Sequence, residues 1–314
     1  MRDILFICDY AYRLPQRLNW RQSFNLKNIF DQLREHDYFP ILTHYEDENL
    51  IETIRDLGIK YCVTASSWKK GYRQLVENKL LALDDLGVKF VPTLKLMLSY
   101  ENKSLQAELA NVINLPMPES RSVSTFESFL KIKDTFGLPF VIKEVEGYAS
   151  SGVQLVRNEE EEAAVAKRYF TGRGDYSQRI GLIVAQRYIP NLKGDWKVIV
   201  VDDTAAALFR EVRANDFRAS GSGLFKFLEP PPSLLDFAYE IKEQLGAPWV
   251  SLDIAQVEKG YMLLEFQATH FGTTTTDKAP FHFIHDQKGQ WIKQDGPVDM
   301  ETHMTKAIIK EIRE

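Results

Sequence analysis

Apolar residues recur along the chain in two alternating rhythms. ILFICDY (4–10), FPILTHY (39–45), KYCVTAS (60–66) and VKFVPT (88–93) are short apolar runs of strand length. Between them, the stretch from Gln22 to His36 carries Phe24, Ile29, Phe30 and Leu33 near helical spacing. Asn49–Leu57 reads as a helix that stops at Gly58, and Gly71–Leu86 as one that ends at Gly87. This βαβαβαβ order predicts a mostly parallel sheet covered by helices. No GxGxxG follows the first strand, which speaks against a dinucleotide site there.

The middle of the chain changes character. Ser124-Thr125-Phe126-Glu127 is a capping-box pattern, and Phe126, Phe129, Leu130 and Phe136 then share one helical face that ends near Gly137. LPFVIKEV and VQLVR flank the small-residue turn EGYASSG, which predicts a hairpin. Glu159–Glu162 follow Asn158 as a solvated helix start whose carboxylates complement the helix dipole. Further on, LIVAQRYI (182–189), WKVIVVDD (196–203), AAALFREVR (205–213), WVSLDIAQV (249–257) and YMLLEFQ (261–267) all read as strands. Acidic and Glu-Lys-Gly turns join two pairs of them. A helix spans Ser233–Leu245 and stops at Gly246 and Pro248; Met300–Glu314 is a terminal helix.

Composition adds limits. The 314 residues are 44% hydrophobic and 26% charged, average for a globular protein of two or three domains. The formal charge of −5 argues against a broad nucleic-acid-binding surface but leaves room for a local basic pocket. Cys8 and Cys62 lie in apolar runs and read as buried small hydrophobes; two thiols cannot make a four-thiolate zinc site. Ile4–Cys8 reads as a first strand rather than a signal peptide, and no apolar stretch approaches the ~18 residues of a membrane helix. The default expectation is a cytoplasmic protein with no membrane partner.

Chemistry is concentrated where polar residues interrupt apolar strands. Lys143 lies inside FVIKEV, where a buried ammonium is costly without an anion; a strand-edge lysine with its head in water is the competing reading. Ser150-Ser151-Gly152 is a turn able to offer N–H groups to phosphate oxygens. Asp253 and Glu265 interrupt the last two predicted strands, and an antiparallel turn at Glu258–Gly260 sets them side by side. Such a pair calls for a cation, either magnesium or a neutralising Lys or Arg. Arg210, Arg213 and Arg218 surround a flexible loop, Ser220-Gly221-Ser222-Gly223, and guanidinium forks match carboxylate or phosphate. His282 and His285 have HxxH spacing but lack further ligands, so they read as structural. His270 stands in QATHFGTTTT, where the threonine run is either a polar-substrate contact or a plain strand or turn.

These clusters, in this order, resemble the ATP-grasp superfamily of carboxylate–amine ligases, with a glutathione-synthetase-like ATP-binding fold, from about Leu98 to Gly272. YENKSLQAELANVINLPMPES resembles the family's entry segment, which makes Lys103 the first ATP-contacting lysine. GLPFVIKEVEGYASSGVQLV is similar to the lid segment, with Lys143 as second phosphate lysine and Ser150, Ser151 and Gly152 as lid loop. IVAQRYIPNLKGDWKVIVV resembles the segment that carries the adenine-side linker, here Gln186, Arg187, Tyr188 and Ile189, with Asp195 a ribose contact. SLDIAQVEKGYMLLEFQ resembles the metal motif: Asp253, Glu265 and Gln267 take the magnesium positions and Leu264 packs beneath adenine. Gln267 stands where the family usually has Asn, Lys197 where one branch has Arg, and Gln186 where Glu is frequent.

The resemblance implies an α/β fold, α+β in its lid: an N-terminal domain (1–97), a lid (98–189) and a catalytic subdomain (190–314). It implies an enzyme that joins a carboxylate to an amine through an acyl phosphate, using ATP and Mg2+, with Mn2+ as an alternative ion. Arg218, Lys143 and Arg210 are then the catalytic residues, and Arg213, Ser220, Gly221 and His270 the substrate side. The expected partners are a small-molecule acid and amine, and a homodimer is compatible. An ATP-grasp kinase of a small hydroxyl substrate and a degraded nucleotide-binding regulator are the competing readings.

Overall fold

The computed structural model describes residues 2–14, 24–67, 69–146, 152–170, 181–213, 216–219 and 223–313. Its first sheet is built from β1 (Arg2–Cys8), α1 (Leu26–Glu35), β2 (Tyr38–His44), α2 (Leu50–Asp56), β3 (Tyr61–Thr64), α3 (Lys70–Asp84) and β4 (Lys89–Val91). The strands lie in the order β2-β1-β3-β4, all parallel. The parallel reading of the sequence is what the structure has. β1 is apolar on both faces because both are covered: Ile4 and Phe6 pack with Ile29 and Leu33 of α1, and Leu5 and Ile7 with Leu50, Val76 and Leu80 of α2 and α3. Cys8 and Cys62 are free and buried in this sheet, where burial pushes the Cys8 thiol up to about 12.

After α4 (Leu94–Leu98) and α5 (Lys103–Ile113), the lid follows: β5 (Ser120–Val123), α6 (Phe126–Phe136), β6 (Phe140–Glu144), β7 (Val153–Val156), α7 (Glu159–Tyr169) and β8 (Ile183–Arg187). It forms a sheet in the order β5-β8-β6-β7, with β6 and β7 the expected hairpin. The helix cap is Thr125, whose hydroxyl accepts from the Ser128 N–H at 3.1 Å, one residue beyond the Ser124 that the sequence pattern favours. Leu96, Ala110 and Leu115 join the core of the next sheet rather than that of the lid.

The catalytic sheet contains β9 (Gly194–Val201), β10 (Thr204–Glu211), β11 (Phe225–Lys226), β12 (Trp249–Val257), β13 (Gly260–Gln267), β14 (Phe281–His285) and β15 (Trp291–Asp295), with α8 (Pro232–Leu245), α9 (Thr274–Asp277) and α10 (Met300–Arg313). Its order is β13-β12-β9-β10-β14-β15, with β11 beside β10. Side chains alternate across each strand. Trp196, Val198, Leu252 and Ile254 therefore enter the core under α8, while Asp195, Lys197 and Asp253 occupy alternate positions along the same strands; on β13 a bulge resets the alternation, so that Leu263 and Phe266 both enter that core and Glu265 does not. α10 packs against α1, where Glu301 accepts from the Asn25 N–H at 2.9 Å, so the terminal helix joins the first domain to the catalytic sheet. β5, β14 and β15 lack a strong alternating pattern: SRSV is polar and FHFIH short, and neighbouring strands decide them.

Candidate active site

A cavity of about 860 Å3, open to solvent, lies between the lid sheet and the catalytic sheet. Val141, Val153, Leu192 and Leu264 give it apolar walls suited to a flat ring, and Gln186–Ile189 run along one side. Its polar end holds Lys103, Lys143, Asp195, Asp253 and Glu265. The sequence-proposed ATP-side residues Lys103, Lys143, Gln186, Arg187, Tyr188, Ile189, Asp195 and Leu264 thus converge on one space.

Strand register explains the convergence. β12 and β13 pair antiparallel from the turn at Glu258–Gly260 as far as Ile254 and Leu263, and a one-residue bulge at Leu264 then brings Asp253 directly opposite Glu265. β9 sets Lys197 opposite Asp253, and β10 sets Arg210 opposite Asp195. Arg210 donates to Asp195 through Nε at 2.6 Å and Nη2 at 2.9 Å, and its Nη2 also lies 2.8 Å from Asp253 Oδ2. Lys197 Nζ stands 3.7 Å from Asp253 Oδ1 and donates to Ser251 Oγ at 2.7 Å. Burial raises the Asp195 carboxyl to about 6 against the pull of Arg210. The Asp253 carboxyl is lowered overall: burial works against ionisation, but Arg210 and Lys197 outweigh it. Arg210 therefore binds two protein carboxylates, and the neutralising cation weighed beside magnesium is present in this network.

The lid contributes the opposite situation. Lys143 Nζ reaches only the Leu264 carbonyl, at 3.5 Å, and makes no ion pair among the described residues. Burial lowers its pKa to about 8; Glu265 and Asp253 oppose that shift and Lys103 adds to it. Lys103 opens α5, capped by Asn102, and its backbone N–H donates to the Val145 carbonyl at 3.1 Å, which ties α5 to the start of the lid loop. Gly152 closes that loop with φ 72°; a Cβ there would meet Glu144 Oε2 at 2.7 Å. On the cavity floor, a Cβ on Gly194 would lie 2.2 Å from the Arg210 carbonyl, so only glycine lets β9 and β10 close up beneath the pocket.

Other proposed residues fall into place unevenly. Gln186 is buried and donates to Ser120 Oγ at 2.9 Å. Arg187 borders the cavity but spends its guanidinium on Glu119 at 2.8 Å and on the Thr135 and Phe136 carbonyls, both at 3.3 Å. Arg218 lines the cavity, grips Asp216, and donates to the Val153 carbonyl of the lid at 3.3 Å. That grip holds the Asp216 carboxyl down at about 2. Arg210 and Arg213 do not line the cavity. Ser150, Ser151, Ser220 and Gly221 lie outside the described residues. His270 stands apart from this cavity, in a second one with Asp9, Tyr10, Arg13, Ser67, Lys69 and Tyr72. His282 Nδ1 meets the Gly296 carbonyl at 2.9 Å, and His285 packs on Tyr239 and Trp291, so both serve the fold. Thr274–Thr276 fall in α9, with Thr275 and Thr276 buried.

Asp253 and Glu265 are hard oxygen donors side by side, and Gln267 Nε2 lies 3.1 Å from Glu265 Oε1, so its amide reaches the same place. Among the described residues, no group of three or more His, Cys, Asp or Glu side chains gathers. Two carboxylates and an amide fit a magnesium ion, which keeps waters and takes oxygens from phosphates. Leu192, Val153 and Phe217, all lining the cavity, carried no signal separable from ordinary core residues. Tyr10 and Arg13 had one: they follow the first parallel strand, where ligands of open sheets gather.

Residues 100–280, more than half of the chain, match the model of the RimK-like ATP-grasp domain family. No curated protein matches. Among solved structures, the D-cycloserine synthetase DcsG is similar with a TM-score of 0.62 at 12% identity, over 98% of this chain and 99% of that one. The ATP-grasp ligase PsnB, solved with a minimal precursor, Mg and ADP, is similar at 0.58 and 14%, over 99% and 98%. D-alanine–D-alanine ligase from Bacillus anthracis is similar at 0.53 and 14%, over 85% and 86%. At such identities these likenesses speak to the fold.

Proposed function

The chain belongs to the RimK-like ATP-grasp domain family, and from that premise we propose that it is an ATP-dependent ligase that joins a carboxylate to an amine. One observation carries this reading: a half-buried lysine without an ion pair among the described residues, Lys143, faces the register-paired Asp253 and Glu265 across an apolar-walled cavity. Adenine packs between Val141 and Val153 of the lid and Leu264 of β13. Lys103 and Lys143 hold the phosphates. Magnesium, when bound by Asp253, Glu265 and Gln267, neutralises the charge that develops on the transferred phosphoryl group. The ADP and Mg in the PsnB structure support the same pair of ligands here.

The substrate carboxylate attacks the γ-phosphorus and ADP leaves, giving an acyl phosphate; the amine then attacks its acyl carbon and phosphate leaves as the C–N bond forms. Arg218, poised between Asp216 and the lid, is the side chain best placed to receive the substrate carboxylate. Catalysis is positioning and electrostatic stabilisation rather than acid–base chemistry by a single residue. The lid must exclude water from the acyl phosphate, and the Arg218 contact with Val153 is one point at which loop and lid meet.

The test is product analysis. Amino acids and small acids are screened for ADP and phosphate release, singly and in pairs, with mass spectrometry of the product. A ligase releases both only when acid and amine are present together. Release of ADP without free phosphate assigns a kinase, and no turnover with any pair assigns a regulator. In the active pair, Glu265→Ala lowers turnover by about 10^3-fold with the fold intact; activity like that of the wild type sinks the metal assignment.

A further inference from the structure

A charged contact joins the lid to the N-terminal domain. Arg73 of α3 is 8% exposed, and a guanidinium so buried needs a carboxylate. Two stand beside it. Glu146, two residues past the lid strand β6, holds Oε1 3.1 Å from Arg73 Nη2 and Oε2 2.8 Å from Lys70 Nζ. Glu77, one turn along α3, holds Oε1 3.7 Å from Arg73 Nε. Lys70 is 80% exposed, so its share of the contact is weak and Arg73 supplies the stronger part. Lys70 and Arg73 hold the Glu146 carboxyl below its ordinary range, whereas burial pushes the Glu77 carboxyl up. Arg73 thus serves Glu146 well and Glu77 incompletely.

The contact lies next to the polar end of the main cavity. Val145, adjacent to Glu146, accepts from the Lys103 N–H at 3.1 Å, and Lys103 and Lys143 line that end. Other ion pairs of the lid, Lys133 with Glu159 and Arg168 with Glu144, stay inside it and turn with it. Glu146 instead crosses to the first domain. A lid that turns away from the cavity must therefore pull Glu146 off Arg73. Glu77 is then the remaining partner, and its 3.7 Å separation is only roughly 1 Å too long for a hydrogen bond.

We infer that Arg73 is the catch of a latch on the lid. It binds Glu146 while the lid covers the cavity and passes to Glu77 when the lid lifts. The guanidinium keeps a carboxylate in both states, so only the difference between the two partners opposes opening. None of the described residues that line the main cavity comes from the N-terminal domain, yet through this catch that domain sets how long a nucleotide stays enclosed. Arg73 and Glu146 are positioning residues. The effect on nucleotide rests on the ligase reading; the latch itself does not.

The test uses the full chain with spin labels at Leu81→Cys on α3 and Leu130→Cys on α6, both exposed, while Cys8 and Cys62 are buried and take no label. In the free protein, Glu146→Ala is expected to lengthen and broaden the distance between the labels. Arg73→Met with Glu146→Ala lengthens it no further than either alone, because one contact is lost in all three. The second readout is the release of a fluorescent ATP analogue in Mg2+. Glu146→Ala speeds it about tenfold, the worth of one charge-assisted hydrogen bond. Glu77→Gln slows it, because the lifted lid has lost its substitute carboxylate. A merely structural ion pair would not send the two variants in opposite directions. Distances that Glu146→Ala leaves unchanged overturn the latch, and so does a Glu77→Gln variant that releases the analogue no more slowly than the wild type. An analogue that the wild type does not bind overturns the ATP reading instead, and the distances then decide the latch alone.

Discussion

The two walls of the main cavity handle charge in opposite ways. The catalytic wall is already compensated: Asp195, Arg210, Asp253 and Lys197 neutralise one another across three strands. On the lid wall, Lys143 is half-buried with only the Leu264 carbonyl in reach among the described residues. A buried charge without its partner costs stability, whereas a paired network loses stability when one member is removed. The lid wall therefore holds unmet charge for a ligand, and the catalytic wall holds a preset geometry for carboxylates. The same kind of group, a half-buried cation, serves binding on one wall and folding on the other.

Substitutions on the two walls separate these roles. Arg210→Ala is the largest expected effect on stability. It strands the buried Asp195 and takes from the half-buried Asp253 its nearer cation, at a cost of about 3–5 kcal/mol, seen as a Tm lower by on the order of 10 °C in calorimetry. An unchanged Tm would mean that Asp195 and Asp253 do not depend on Arg210. Lys143→Met is expected to move the two observables oppositely: Tm holds or rises, because a desolvated ammonium is removed, while ATP affinity by titration calorimetry falls about 10- to 100-fold. A variant that loses stability and keeps affinity reverses the contrast between the walls.

The smallest effect is in pH. Lys143 is depressed from its ordinary value to about 8, chiefly by burial. Below that pH it is charged in the free protein and meets the phosphates directly. Above it, binding must first take up a proton, so ATP affinity falls as pH rises past 8, by at most about tenfold per unit. Affinity that stays flat from pH 7 to 10, measured at constant Mg2+, removes Lys143 from the phosphate contacts.

The chain's pattern was legible where local rules act alone. Apolar runs of strand length separated by helical spacings identify the first sheet, because β1 and β3 are covered on both faces. The hairpin at Glu258–Gly260 brings Asp253 and Glu265 to neighbouring strands, but its own register would set Asp253 opposite Leu264; a bulge between Asp253 and Ile254, which no local pattern announces, makes Glu265 the direct partner. The capping residue slipped by one, from Ser124 to Thr125, since either hydroxyl satisfies the local pattern and only packing of Phe126 and Phe129 chooses.

What the sequence by itself determined was the order of elements, the positions at which charge interrupts apolar strands, and the family those positions resemble. What only the tertiary structure decided was who meets whom. Arg210 turns to Asp195 and Asp253 because β10 pairs with β9 and β9 with β12. His270 goes to the N-terminal domain's cavity because its ring bonds the Ser66 carbonyl, 204 residues earlier in the chain. Contacts over such separations depend on sheet order and domain packing, and no local pattern encodes either.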